Sequence, residues 1–159
     1  MSLMGDFRLL PTETIDELAA KPESALAFLY DEEVAVTDRM SVENAWHGIH
    51  FLLNGVAWEG DPPLDFIVRG GRALGPDGGY GPARGFSARE LNGICQALES
   101  FIPGILRKRF DVDGLLECAI YPNQWVGDEG EWLIDTFAQL KRFLAAGSAR
   151  GLGLVVCIR

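Results

Sequence analysis

The chain has 159 residues, of which 48% are hydrophobic and 23% are charged. A single domain of this length buries roughly 68–70% of the surface that its unfolded chain exposes, so neither a metal nor a disulfide is needed for stability. This composition excludes intrinsic disorder. The formal net charge is −9, which argues against a general nucleic-acid binder because such proteins need a basic surface.

The cysteines and the absence of targeting signals indicate a cytoplasmic protein. Cys95, Cys118 and Cys157 are odd in number and match no zinc or redox spacing, and their apolar neighbours predict inert buried thiols. No apolar run reaches the roughly 18 residues of a membrane span, and no secretory leader is present. Residues 1–3 look like a vector-derived start before Met4, so we expect one domain over residues 4–159.

The first half of the chain predicts one strand and three helices. Alternating apolar and polar residues over Met4–Leu10 are typical of a half-buried strand. The helices are predicted from Thr12 to Ala20, from Pro22 to Tyr30 and from Val42 to Leu53. Trp46, Ile49, His50 and Leu53 recur at helical spacing, which places them on one apolar face of the third helix.

The second half begins with irregular structure. Residues Leu64–Val68 suit either a short strand or a helical turn, and the glycine-rich stretch Gly70–Gly85 predicts a long irregular segment. Ser87 and Glu90 form a capping box for a helix that extends to about Ile102. Further helices are predicted at Ile105–Arg109, Asp111–Glu117 and Asp128–Ala146 with Gly147 as a cap, and Leu152–Ile158 predicts a buried central strand.

The order of these elements favours an α+β fold. Strands and helices do not alternate regularly, and the two clearest strands lie at opposite ends of the chain. We therefore expect a single domain with a small mixed sheet that contains the N- and C-terminal strands and is flanked by helices.

Histidines on the third helix form the first candidate site. Glu43, His47 and His50 are spaced at i, i+4 and i+7, so they could share a face and hold a divalent metal, although the pattern differs from H-E-x-x-H. The alternative is a buried His50 with both ring nitrogens hydrogen-bonded and His47 nearer to solvent. We favour this alternative and predict neither a metal nor a cofactor.

The glycine-rich segment and a later aromatic turn form the other candidates. The segment lacks the signatures of phosphate and dinucleotide loops, yet it places Arg84 beside a helix N-terminus, where anions are favoured; the alternative is a structural ion pair. Tyr121 and Trp125 would either line a pocket or close the edge of the core. No Ser-His-Asp or Cys-His arrangement has local support, so we lean against an enzyme.

These segments resemble the YfbM-like family of bacterial proteins, a domain of unknown function numbered 1877. The matching segments cover nearly the whole chain in order: Met4-Gly5, Trp46–Gly55, Gly79–Arg84, Leu106–Asp111, Ile120–Pro122 and the closing helix with its strand. Gly85-Phe86 departs from the bulkier pair usual in the family, which enlarges the space beside Arg84. The resemblance implies an α+β domain found alone in the cytosol, with no established activity and no catalytic residue to transfer.

Two functions follow as hypotheses. The first is a protein-binding module, and the proximity of similar domains to toxin–immunity genes implies an immunity type that neutralises a cationic partner. Residues 1–65 hold 13 acidic and 3 basic side chains, an excess that would steer such a partner.

The second hypothesis is a small-anion-binding protein or enzyme, with a cleft between the Trp46–His50 helix and the Tyr80–Arg84 segment. Arg84 would clamp the anion, His50 would be the acid/base group, Tyr80 would orient the ligand, and Arg84 and His50 would lie within roughly 8 Å of each other. The sequence indicates no oligomeric state. The candidate ligand-binding residues are Trp46, His50, Tyr80, Arg84, Tyr121 and Trp125.

Overall fold

A five-stranded antiparallel sheet organises the protein. The computed structural model describes residues 2–23, 36–77 and 79–159. The strands are β1 Gly5–Leu10, β2 Arg39–Ser41, β3 Arg72–Leu74, β4 Ala83–Phe86 and β5 Gly153–Ile158. Their order is β2-β1-β5-β4-β3, so the two terminal strands are neighbours and β5 is central.

Six α-helices surround this sheet among the described residues. They are α1 Thr12–Ala20, α2 Trp46–Asn54, α3 Ala88–Leu98, α4 Pro103–Arg109, α5 Val112–Glu117 and α6 Gly130–Ala149. Short 3-10 helices at Val36–Asp38 and Glu43–Ala45 flank β2.

Both faces of the sheet are buried, which explains the continuous apolar run of β5. One face, with Leu154 and Val156, contributes to the main core together with α2, α3 and α6. The opposite face packs Val155 against Ile15 and Leu18 of α1. A strand that is covered on both sides has no polar face, so its sequence lacks alternation.

The α+β class, the single domain and the central position of the C-terminal strand are confirmed. The capping box is also confirmed: the Ser87 side chain accepts a hydrogen bond from the Glu90 backbone, and the Glu90 carboxylate accepts one from the Ser87 backbone. The helix predicted from Pro22 to Tyr30 lies mostly outside the described residues.

Several expectations about local structure are wrong. The sheet is antiparallel at every described pairing rather than mixed, and the Gly70–Gly85 segment, predicted to be irregular, contains β3 and most of β4, which pair as a hairpin. The helix predicted to extend to about Ile102 ends at Leu98, and of the three thiols predicted to be buried, Cys118 is exposed while Cys95 and Cys157 are half-buried. Gly147 lies inside α6, where it faces Leu9, instead of capping the helix.

Glycine lets β4 and β5 approach neighbouring groups closely. A Cβ added to Gly153 would lie 2.5 Å from the carbonyl oxygen of Phe86 and 2.7 Å from Ile15. In contrast, a Cβ added to Gly93 on α3 would meet no atom within 4 Å.

We expect Gly153→Ala to destabilise the protein by about 1–3 kcal/mol, since the backbone of β4 must shift to admit the methyl group. Gly93→Ala is the control and should stabilise α3 by about 0.5–1 kcal/mol. Chemical denaturation measures both changes. Equal effects of the two substitutions would contradict the close approach at Gly153.

Candidate functional site

Helix α2 runs through the main core with every side chain from Trp46 to Leu53 buried. Gly48 makes this possible on one side, because a Cβ there would lie 2.9 Å from both Trp125 and Leu133. The helix ends at Gly55, whose φ of 73° suits glycine at a left-handed cap. A helix that is apolar all round is typical of a core position, and here it also carries both histidines of the chain.

Four rings gather at the start of α2. The Trp46 ring stacks on His47 at 4.8 Å and on Tyr121 at 5.6 Å between ring centroids. Trp58, from the loop that follows α2, lies 4.4 Å from the His47 ring and 6.0 Å from Trp46. We call Trp46, His47, Trp58 and Tyr121 the aromatic cluster.

The two histidines have hydrogen-bond partners at both ring nitrogens. The Nε2 of His47 lies 2.7 Å from the Ala57 carbonyl, and its Nδ1 accepts a bond from the Tyr121 backbone N–H at 2.8 Å. The Nε2 of His50 lies 2.9 Å from the Glu59 carbonyl, and its Nδ1 lies 3.2 Å from the Asn54 amide nitrogen. Carbonyl oxygens only accept, so both rings donate through Nε2–H, and an Nδ1 that accepts makes the ring neutral.

Burial keeps these rings neutral. Loss of solvation lowers the pKa of His50 to about 4, although its hydrogen bond to Glu59 acts in the opposite direction. Burial likewise lowers the pKa of His47, although the hydrogen bond to the Ala57 carbonyl acts to raise it. Two charged imidazoles inside one core would be costly, so the uncharged form is part of the folded structure.

A cavity of about 340 Å³ opens next to the aromatic cluster. We call this cavity the aromatic pocket. Its walls are Trp46, Trp58, Val68, Gly79, Tyr80, Gly81, Pro82, Arg84 and Ile158. Trp58 and Tyr80 remain 52% and 59% exposed at this site, whereas Trp46 is buried.

Arg84 forms the charged part of this wall and also holds the neighbouring turn. Its Nη1 donates to the carbonyls of Phe66, Arg69 and Gly70, and its Nη2 donates to that of Ile67. Burial lowers the pKa of Arg84 to about 10, with the Asp65 carboxylate acting in the opposite direction. The guanidinium therefore stays charged at neutral pH.

Arg109 has a similar structural role at the end of α2. Its Nη1 donates to the carbonyls of Leu52 and Leu53 at 3.0 and 2.9 Å, and the guanidinium lies 5.1 Å from the Phe101 ring. These carbonyls have no partner within the helix because they lie in its last turn. Both arginines therefore bind backbone carbonyls, and the ion pair considered for Arg84 is absent among the described residues.

The structure brings three of the six candidate residues together at the pocket: Trp46, Tyr80 and Arg84. His50 has no exposed surface and contributes no atom to the wall, so the expected cleft with His50 as its acid/base group is corrected. Trp125 is buried, with its indole N–H donated to the Ile120 carbonyl. Tyr121 packs on Trp46, and its hydroxyl accepts the Leu3 N–H. Both residues close the core, as the alternative interpretation held.

The metal hypothesis for Glu43, His47 and His50 is also corrected. Glu43 is exposed and lies in a 3-10 turn before α2 begins, so the assumed helical spacing does not apply. His47 is buried rather than close to solvent. Throughout residues 2–23, 36–77 and 79–159, no three side chains of His, Cys, Asp or Glu are arranged to hold a metal ion.

Sequence reasoning missed Trp58 and the adjacent loop. The available signal is a large aromatic residue in a stretch of glycine and acidic residues, although a single exposed aromatic residue is common on protein surfaces and does not by itself indicate a site. Over the same described ranges, no helix has the length and apolar character that crossing a bilayer requires.

The protein is thus an α+β domain in which a buried helix that carries two histidines lies beside an aromatic pocket. It belongs to the family described as a domain of unknown function, DUF1877, whose sequence profile matches residues 1–157.

The chain is similar to the protein YfbM of Escherichia coli strain K12, with 27% identity over 154 residues that cover 92% of this chain and 90% of that protein. A crystal structure of YfbM from Escherichia coli, described as a protein of unknown function, superposes with a TM-score of 0.75 at 22% identity. The superposition covers 98% of this chain and 99% of that one, so the two proteins share the fold.

Replacing Arg84 by methionine should cost about 2–4 kcal/mol of unfolding free energy, because buried carbonyls lose a charged donor. Arg72→Met on the adjacent strand is the matched control. Arg72 makes an exposed ion pair with Asp16, and its loss should cost less than about 1 kcal/mol. Urea unfolding curves compare the two, and an Arg84 effect as small as that of Arg72 would contradict the carbonyl-binding role.

Stability should fall as the pH is lowered from 6.5 towards 4. In this window the unfolded chain binds protons at His50, while the folded chain does not as long as the ring keeps its buried site, where its pKa is about 4. Over the range in which the ring stays there, the slope from this group approaches about 1.4 kcal/mol per pH unit. Glu129 and Glu131 also have lowered pKa values, so they add acid sensitivity only below their usual value of 4.5.

Unfolding free energies measured between pH 7 and pH 5 test this dependence. The His50→Gln variant keeps an N–H donor but cannot be protonated, so its slope over this range should be smaller than that of the wild type. Identical slopes would show that His50 is not a neutral buried group.

Proposed function

We propose that the protein binds a small organic anion that carries a flat ring, and that it does so in the aromatic pocket. The observation that carries this proposal is the half-buried Arg84 at the pocket wall. No carboxylate of the described residues lies within 4.0 Å of its guanidinium. Asp65 acts on the guanidinium through its charge without forming an ion pair with it, so an anionic ligand would supply a direct ionic partner.

Arg84 retains hydrogen-bonding capacity for such a ligand. A guanidinium has five N–H groups, and its four bonds to carbonyls all use Nη1 and Nη2. The Nε–H therefore has no partner among the described residues. Carboxylates and phosphates are the anions that a guanidinium binds best, because hydrogen bonds between charged groups are short and strong.

The remaining walls favour a flat, apolar group next to that charge. Trp58 and Tyr80 present exposed rings, and Val68 and Ile158 add aliphatic surface. The volume of about 340 Å³ lies within the roughly 300–1,000 Å³ of small-molecule sites, which are mostly apolar with a few polar groups. Among the described residues that line it, the wall contains no carboxylate, thiol, hydroxymethyl or imidazole group, so this arrangement favours binding over catalysis.

A protein partner is the second candidate, and it is favoured by the exposure of Trp58 and Tyr80. Tryptophan, tyrosine and arginine are the residues that most often dominate protein interfaces. The net charge of −9 would favour a basic partner. Arginines from later segments pair with Asp6, Asp16 and Asp38, which reduces the acidic excess of the first 65 residues as a steering force.

Titration with matched probes tests the ligand proposal. We expect benzoate and phenyl phosphate to bind the wild type at least about tenfold more tightly than neutral benzamide, since a charge-assisted bond contributes more than about 1.4 kcal/mol. Calorimetry gives the affinities, and quenching of tryptophan fluorescence reports on the pocket. Trp58→Ala should abolish the quenching.

Trp132→Ala is the control, because Trp132 is also exposed but lies on α6 outside the pocket. This variant should bind benzoate like the wild type. Equal affinities for benzoate and benzamide, or equal losses in the two variants, would contradict the proposed site.

The protein-partner alternative is tested with the Trp58→Ala/Tyr80→Ala double variant in pull-downs from the host. A basic protein retained by the wild type and by Trp132→Ala, released by salt and lost from the double variant would favour this alternative. Retention by the double variant would exclude the aromatic pocket as the protein-binding surface.

A further inference from the structure

Two histidine side chains provide the hydrogen bonds that attach the loop carrying Trp58, in addition to the packing of Ala57 on the core and of Trp58 on the rings of Trp46 and His47. In the described part of the chain, two hydrogen bonds join residues 56–60 to the rest of the protein: those from His47 and His50 to the carbonyls of Ala57 and Glu59. A third bond, from the Trp58 N–H to the Glu59 carboxylate, lies within the loop. The two bonded carbonyls belong to the residues on either side of Trp58.

We propose that His47 and His50 are positioning residues, whose Nε2–H groups hold the carbonyls that flank Trp58 and thereby fix the indole as a wall of the aromatic pocket. The importance of that wall for a ligand rests on the proposed function, whereas the positioning of Trp58 does not. The geometry is specific, because the His47 ring is also fixed from its other side by the Tyr121 N–H, and His50 Nδ1 faces the Asn54 amide nitrogen, which donates to the His50 and Leu64 carbonyls. The ring of His47 in addition contacts the Trp58 ring at 4.4 Å.

The neutral form of both rings is essential to this arrangement. A protonated imidazole has donors at both nitrogens, so its Nδ1–H would face the Tyr121 N–H in one case and the Asn54 amide in the other. A buried positive charge without a new partner is also costly. The ring can relieve both penalties by leaving its site together with the loop that it holds.

The charged groups around the rings only partly oppose this effect. The Glu59 carboxylate favours a proton on His50, while Arg69 and a protonated His47 disfavour it. Asp65 lies next to Gly60 of the loop, since a Cβ added to Gly60 would be 3.2 Å from the Asp65 Cβ. Acid should therefore release the Trp58 loop from α2 within a folded protein.

The test follows the indole N–H resonance of Trp58 in the ligand-free protein between pH 7.5 and pH 4.5, with Trp58→Phe to assign it. We expect this resonance to shift or broaden before the far-UV circular dichroism reports unfolding. The resonances of buried Trp125 and exposed Trp132 should stay in place. A Trp58 resonance that changes only together with global unfolding would overturn the proposal.

The variants His47→Gln and His50→Gln keep an N–H donor and remove the titration, so their Trp58 resonances should depend less on pH. An unchanged pH response in both variants would also overturn the proposal. If the variants do not fold, hydrogen exchange of the Tyr121 amide in the wild type, whose N–H is bonded to His47 Nδ1, must show loss of protection at acid pH after correction for intrinsic rates.

Benzoate titrations at both ends of the pH range separate this inference from the proposed function. If both are correct, benzoate affinity falls more than about tenfold, or ~1.4 kcal/mol, at the acid end. A Trp58 response without benzoate binding would support the positioning role and contradict the ligand proposal. Benzoate binding with a pH-independent Trp58 resonance would support the ligand proposal and contradict the positioning role.

Discussion

The hydrogen bonds of two uncharged histidines constrain the core and the pocket together. Helix α2 is buried on all sides, so any polar group on it must find its partner inside the protein. His47 and His50 do so by donating to the loop after the helix and accepting from groups on their other side. The packing of the core and the placement of Trp58 therefore depend on the same pair of rings.

Two arginines complete this arrangement from the outside. Arg109 binds the last carbonyls of α2, and Arg84 binds four carbonyls of the turn over residues 66–70. Each uses a guanidinium where a helix or turn leaves acceptors without partners. Arg84 differs because it also lines a cavity, where the proposed anion would meet the charge that stabilises the turn.

The strands at both ends, the capping box at Ser87 and the burial of His50 could be predicted because each has a local signature. The β3–β4 hairpin could not, since β3 has three residues and β4 has four, and their glycines are typical of loops. The pocket partly followed from sequence through Trp46, Tyr80 and Arg84. The position of Trp58 in the pocket wall depends on where the loop after α2 folds back, and so does the exclusion of His50 from that wall. The periodicity of the sequence does not encode this path.

The protonation state of the two histidines is the most direct test of this constraint. Long-range proton–nitrogen spectra of the side chains at pH 7 distinguish the two neutral tautomers and the charged form. We expect both rings to be neutral with the proton on Nε2. A proton on Nδ1, or a charged ring at either position, would contradict the hydrogen bonds that join α2 to the Trp58 loop.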